Sequence, residues 1–558
     1  MKKRIVISVL IITILGMTAC TVKETNQPII SQENQPSQEA EAPAEPENEQ
    51  EPTAGVTSSD ENTKTENVQE PSEEKTQEES KESEPESEEV KAEPAYLDVV
   101  LERNWDGSYA DVTLLNANYQ TLSLRSTEYP ALSAAVEVFT KAHQEEIQSY
   151  LEQMKTDASS LYEEHGAEGF MGPYEYISDT FVKRADDKVL SFMESVHTYE
   201  GGAHGVNYYN AFNFDVQTGA EITLEDVITD IDALPMILED ELLEKYSDEG
   251  YFYEAPSEML MPYITPGAEY QPEFTWTIGY DGVTFYFSNY EITAYAAGTQ
   301  AVTVLYSEYP QIFRENYSTG IGENYVIKLD DNWAGLDTDL NGDKVKDIIR
   351  VTTNYNPDYE FNESFNVTVN DNTFTQETYC YGLDKYLVRA GDDFYLYIQR
   401  TVENDYQSVC VFRITENSVE SMGEFEGGMG NFTNSADFEV IRRMDMLSTY
   451  TGIAKCSVGA EGLPAEKEGV YKVSYELSIV STVDIEAELT DGEGNLTGEG
   501  FAFPAGTEFT FMETDGETYV DMKADDGQFC RFYTTNEWPA MVNGMDATES
   551  FEMLWYAG

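Results

Sequence analysis

Between Thr21 and Glu93 the chain is written almost entirely in Glu, Pro, Ser, Thr, Gln and Lys. Such a stretch carries too little apolar surface to offset the entropy lost on ordering it. The frame for folding follows: order is expected to begin near Tyr96, and residues 21–95 read as a disordered acidic linker. As a flexible coil of about 75 residues the linker would reach roughly 50 Å root-mean-square, and more as its charges repel one another.

The segment ahead of the linker, MKKRIVISVLIITILGMTAC, has a basic start at Lys2, Lys3 and Arg4, an apolar run from Ile5 to Leu15, and small residues before Cys20. This is the pattern of a secretory signal peptide, too short for a membrane-spanning helix. Its end resembles a bacterial lipobox, with Met17 where that pattern prefers Leu. The resemblance implies cleavage after residue 19 and lipidation of Cys20, hence an anchor in the cell membrane on its extracytoplasmic face. Four further cysteines follow, Cys380, Cys410, Cys456 and Cys530, whose pairing the sequence leaves open.

The formal net charge of the 558 residues is −74. A chain of that sign repels phosphates, which argues against nucleic acid as a partner and favours cations and basic proteins. The length suits several domains.

From Tyr96 the pattern turns regular. YADVTLLNANYQTLSLR alternates as strands do. The apolar positions Leu132, Val136, Phe139, Ile147 and Leu151 recur at helical spacing, and His143 and His165 read as solvated residues of that acidic helix. YEYISDTFVKRADDKVLSFMESVHTYEGG reads as two strands. In the next segment Phe212, Phe214 and Val216 alternate with polar residues, QTGA supplies a turn with Gly219 suited to positive φ, and Ile222 and Leu224 begin a return strand. LEDVITDIDALPMILEDELLEKY reads as a helix interrupted at Pro235, and a hairpin turning at Tyr280-Asp281-Gly282 follows.

YEGGAHGVNYYNAFNFDVQTGAEITLEDV, followed by GVTFYFSNYEITAYAAGTQAVTVLYSEY, is similar to the domain of unknown function numbered 3298, also called RsiV-like; residues 96–195 resemble its DUF4163-type N-terminal companion. The resemblance covers residues 96–315 and assigns residues 196–316 to the RsiV-like domain. It implies an α+β fold, an antiparallel sheet with packed helices. Members include extracytoplasmic receptors that bind lysozyme, fusions to peptidoglycan deacetylases, and bare lipoproteins. No histidine follows residue 204, so the deacetylase chemistry would lack its histidine ligands.

His204 sits among Gly201, Gly202 and Gly205. His197 and His204 are seven residues apart with only Glu200 as a further donor between them, short of the three or four ligands zinc takes. A general base needs a nucleophile or water and an orienting acid, and neither GxSxG nor HExxH occurs. The glycines favour a structural reading: a bend between strands, with the imidazole held by a backbone hydrogen bond. Contact with a ligand is the alternative, and Tyr290 and Tyr295 are candidates to share it, or to pack in the core instead.

Farther on, LDTDLNGDKVKDIIRV places oxygen donors at Asp339, Asn341, Asp343 and Asp347. Hard oxygens on alternate residues of a short loop suit Ca²⁺. The loop resembles those of FG-GAP repeats, with Lys344 where the pattern has glycine; a left-handed conformation there would cost about 1–2 kcal/mol. Residues 320–445 read as a β-rich domain containing this loop, and residues 446–558 as an SH3-like barrel, so that all-β domains follow the α+β part.

These readings together describe a lipid-anchored, non-enzymatic, monomeric binding protein of the cell envelope, its ligand a lysozyme-like hydrolase or peptidoglycan. A wall-active hydrolase with an unrecognised carboxylate pair, and a structural or assembly lipoprotein, are the alternatives.

Overall fold

The computed structural model describes residues 97–125, 128–246, 251–267, 271–330, 335–535 and 539–556. The signal segment, Cys20 and the linker lie outside these residues. What is described is mostly β, in several sheets with few helices.

Strands β1 (Val99–Tyr109) and β2 (Thr113–Leu124) form a hairpin, and a long helix, α1 (Pro130–Gly169), follows. Strands β3 (Tyr174–Ala185), β4 (Val189–Tyr199) and β5 (Val206–Asp215) complete a sheet of order β1-β2-β3-β4-β5. The expected antiparallel sheet therefore has one exception: β2 and β3 run parallel. A parallel pair needs a long crossover, and α1 supplies it. Leu132, Val136, Ile147, Leu151, Met154 and Ala158 bury the inner face of α1 on the sheet.

Beyond β5, Gly219 takes a φ of 69° at its turn as its neighbours require. The return reaches only a single bridge, Phe214 to Glu221. Leu224 then starts a short helix, α2 (Leu224–Val227), because Thr223 and Asp226 form a capping box there. Pro235 likewise opens a helix rather than interrupting one: it stands in the first turn of α3 (Leu234–Lys245), where its missing N–H is no loss. Helix α4 (Pro256–Ile264) and strands β6 (Thr275–Ile278), β7 (Gly282–Phe287) and β8 (Gln300–Leu305) follow. Leu234, Leu238 and Leu242, one helical turn apart, pack with Leu260 on Ile278, Val283, Phe285 and Val304. Each such side chain contributes roughly 1.5–3 kcal/mol by leaving water.

The short helix α5 (Glu315–Ser318) leads into β9 (Asn324–Lys328). The next strands are β10 (Leu336–Thr338), β11 (Asp347–Asn356), β12 (Phe361–Val369), β13 (Asn372–Cys380), β14 (Gly382–Ala390), β15 (Asp393–Thr401), β16 (Gln407–Thr415) and β17 (Ser418–Glu426). They form two sheets, β10-β11-β12-β13 and β17-β16-β15-β14-β9. Ile349, Phe365, Val367 and Val369 of the first meet Leu387, Leu396, Ile398 and Phe412 of the second. The alternate residues Val388, Tyr395, Tyr397, Val409 and Val411 face the other way, into a core shared with the C-terminal strands.

Those strands differ from a separate small barrel. Strands within Ile485–Tyr533 pair continuously with Phe438–Met444 and Tyr450–Val458 in one twelve-stranded sheet that runs across position 445. Cys380, Cys410, Cys456 and Cys530 are free thiols, all buried.

The α3 region and the β10–β11 hairpin are locked together. Lys245 meets Asp337 at 2.8 Å with both side chains nearly dry, and Lys346 pairs with the buried Glu241 and, at 2.9 Å, with Glu244. Nearby, Tyr280 stacks on Tyr325 with ring centroids 4.0 Å apart.

Candidate functional site

The hairpin loop Glu200–Gly205 joins β4 to β5. Gly201 and Gly202 have φ of 84° and 109°, which a larger residue would adopt only under strain. Gly205 serves close approach instead: a Cβ there would lie 2.5 Å from the His197 ring and 2.6 Å from the Thr198 carbonyl oxygen. His197 is held by Asn207, whose Oδ1 is 2.8 Å from Nδ1.

A second loop, between β7 and β8, docks on the start of β5. Asn207 N–H donates to the Asn289 side-chain oxygen at 2.8 Å, and Asn289 N–H returns to the Asn207 carbonyl at 3.0 Å. Tyr209 OH and Thr299 Oγ1 are 2.6 Å apart below them. This double stitch brings the GGAHG loop and Tyr290 and Tyr295 together, although some 90 residues separate them in sequence.

The three residues singled out in sequence meet at the surface. The rings of His204 and Tyr295 stack at 3.8 Å, and Tyr290 OH lies 3.1 Å from His204 Nε2. His204 Nδ1 is 2.9 Å from the Gly205 carbonyl oxygen. A carbonyl only accepts, so Nδ1 carries the proton, and in the neutral ring Nε2 accepts from Tyr290. The expected backbone hydrogen bond of the imidazole is present, and both ring nitrogens are engaged. Tyr290 is 43% exposed, so it does not serve the core. Its φ is 68°, an outlier for a bulky side chain that costs of order 1 kcal/mol.

A Cβ on Gly201 would stand 3.1 Å from the Met171 carbonyl oxygen, so the loop rests on the segment after α1. That segment also walls a cleft of about 540 Å³ lined by Tyr109, Val112, Asn116, Phe170 and Pro173.

His143 overturns its sequence reading. It is buried beneath α1, not solvated, with Nε2 at 2.9 and 3.0 Å from the two carboxylate oxygens of Glu194 on β4. Asn210 Nδ2 donates to the same carboxylate at 3.2 Å. Burial alone would lower the His143 pKa, but the hydrogen bond and charge of Glu194 outweigh it and raise the pKa above its ordinary value. No short motif signals this pair, which is 51 residues apart in sequence. His165 lies exposed on α1, as its reading had it.

Asp339, Asn341 and Asp343 belong to the loop between β10 and β11, and Asp347 opens β11 at its end. Asp339 accepts from Gly342 N–H and Lys344 N–H at 2.8 and 3.0 Å, and Asp343 accepts from Val345 N–H at 2.8 Å. Asn341 Oδ1 accepts from Asp343 N–H at 2.9 Å, and Asp347 from Leu340 N–H at 2.9 Å. Lys344 is left-handed, with φ of 71°. The donors are hard oxygens with lone pairs to spare, chemistry that fits Ca²⁺. Among the described residues, though, no three or more His, Cys, Asp or Glu stand grouped to hold a metal.

Residues 228–307 match the family model DUF3298, described as a protein of unknown function. Among solved structures, a DUF3298 family member from Bacteroides fragilis is similar at 18% identity and a TM-score of 0.33, over 39% of this chain and 94% of that one. A DUF3298 family protein from Pseudomonas aeruginosa is similar at 17% identity and a TM-score of 0.26, over 40% of this chain and 96% of that one. No curated protein matches the chain.

Proposed function

We propose that the chain is a non-enzymatic binding protein of the cell envelope, anchored through lipid on Cys20, that grips a lysozyme-like hydrolase or peptidoglycan at the His204–Tyr290–Tyr295 corner. The observation that carries this reading is Tyr290. A half-exposed tyrosine held at a φ of 68° contributes little to the core, and strain of that kind persists where a surface is used. Exposed tyrosines offer large contact area at low entropic cost. The engaged nitrogens of His204 favour contact over proton transfer. The net charge of −74 would speed encounter with a basic hydrolase.

Ca²⁺ is part of the same reading. Asp339, Asn341, Asp343 and Asp347 would hold it, fixing the loop that abuts α3.

The test is calorimetry of residues 96–558 against lysozyme and against soluble peptidoglycan fragments, at low and physiological salt. Saturable binding at micromolar concentration that survives physiological salt and weakens at least tenfold in Tyr290→Ala is expected. Binding to neither ligand, or binding indifferent to Tyr290, would remove the reading and leave scaffolding of other proteins in its place.

A further inference from the structure

A second surface, on the β11–β13 sheet, has no part in the corner just described. Four aromatic rings gather on its outer side: Tyr359 and Phe361 with centroids 6.1 Å apart, Phe361 and Tyr379 at 4.5 Å, and Tyr379 and Tyr381 at 5.6 Å. Tyr359 is 71% exposed, Tyr379 44% and Tyr381 47%. Monomers seldom gather large exposed rings in one place without a use.

The rings are not level. Successive planes incline by 36°, 52° and 70°. A glycan chain needs flat faces on which sugar rings can lie, whereas inclined rings surround a compact cation, which their quadrupoles attract. The polar groups at the rings have the matching sign. Tyr379 OH and Tyr381 OH reach Glu403 Oε1 at 3.2 and 3.4 Å, and the Glu363 carboxylate takes the Asn356 amide at 2.5 Å. Among the described residues Glu363 and Glu403 form no ion pair.

We propose that this patch receives lysine or arginine side chains of a basic protein segment, the cation seated against the Tyr379 and Tyr381 rings with Glu403 beside it. It is a separate contact surface and stands whether or not the His204 corner binds anything.

The test uses the full chain and a tri-arginine peptide, with chitohexaose as the glycan probe. Net charge alone attracts the peptide, so the informative change removes rings and leaves charge intact. In Tyr379→Ala/Tyr381→Ala the affinity for tri-arginine is expected to fall about tenfold, while Tyr379→Phe/Tyr381→Phe keeps it within a few-fold, since a phenyl ring retains the quadrupole. Tyr359→Ala, in a turn where folding is not at stake, is expected to weaken binding about threefold. Unchanged affinity in the alanine variants would overturn the proposal. So would an equal loss in the phenylalanine pair, or chitohexaose being the probe that the rings hold.

Discussion

His143 and His204 lie on opposite sides of one sheet's economy. His143 is sealed beneath α1 against Glu194, where every contact serves the fold. His204 stands at the surface on Tyr295, tied to a strained tyrosine, where the fold gains little. The difference separates what a residue type can do from what its surroundings let it do. Removing a partner inside should destabilise the protein, whereas trimming the corner should leave its stability nearly intact and deprive it of a ligand.

The largest expected effect is inside. His143→Leu leaves the Glu194 carboxylate buried with only Asn210 to satisfy it, and should cost about 3 kcal/mol in urea unfolding. Replacing both, as His143→Leu/Glu194→Leu, should recover most of that loss, because two apolar groups need no partner. If the double variant is no better than the single one, the pair is not the coupled unit its geometry indicates. The pair also gives stability a pH dependence. The folded pKa of His143 is raised above 6.5, so its contribution is full below the unfolded pKa and fades as pH rises through the folded value. The His143→Leu variant should lack that decline.

Next comes the hinge between the two settings. Gly205→Ala would force a methyl against the His197 ring and the Thr198 carbonyl, at an expected cost of about 2 kcal/mol. Gly202→Ala meets no atom within 4 Å and should cost only its positive φ, about 1 kcal/mol. Equal costs, read from thermal unfolding, would mean that conformation alone, and not close approach, decides both glycines.

At the corner itself the sign reverses. Tyr290→Gly relieves a left-handed side chain and should stabilise the protein by about 0.5 kcal/mol, after the added freedom of the unfolded chain is set against the relief. The same change should weaken whatever the corner binds. A variant that is less stable by 1 kcal/mol or more would make Tyr290 a packing residue and align the corner with the interior.

How far the sequence reveals this contrast depends on the reach of each interaction. The inner stripe of α1, the turn at Gly219 and the hydrogen bond of His204 to its neighbouring carbonyl depend on residues close in sequence, and each is readable there. The burial of His143 depends on Glu194 across 51 residues, and an acidic helix gives no sign that one of its positions faces a carboxylate. The return strand read at Ile222 and Leu224 and the break read at Pro235 fail for a related reason: Thr223 and Pro235 both start helices, which the apolar pattern around them does not reveal. The continuity of the C-terminal strands into one sheet rests on pairings such as Phe438 with Cys456, which no local turn signal encodes. Nor is the seam of Lys245 with Asp337 and Lys346 with Glu241 legible, since lysines and acids in so charged a chain look alike everywhere.

The smallest expected effect lies at that seam. Lys344 holds the left-handed position of the Asp339–Asp347 loop, and Lys344→Gly should stabilise the protein by at most about 0.5 kcal/mol for the same reason as at Tyr290. Unlike the corner, this loop is not read as a surface for a macromolecule, so the gain should carry no loss of partner binding. Calcium sharpens the contrast. If Asp339, Asn341, Asp343 and Asp347 hold the ion, millimolar Ca²⁺ should raise the melting temperature by a few degrees, through mass action on the folded state. Asp343→Asn should remove most of that rise while leaving the interior pair and the corner untouched. A melting temperature indifferent to Ca²⁺ and to EDTA would mean that these carboxylates serve only their protein donors, the N–H groups of Leu340, Gly342, Lys344 and Val345 and the side-chain amides of Asn341 and Asn370. The loop would then belong with His143, as an acidic device that serves the fold alone.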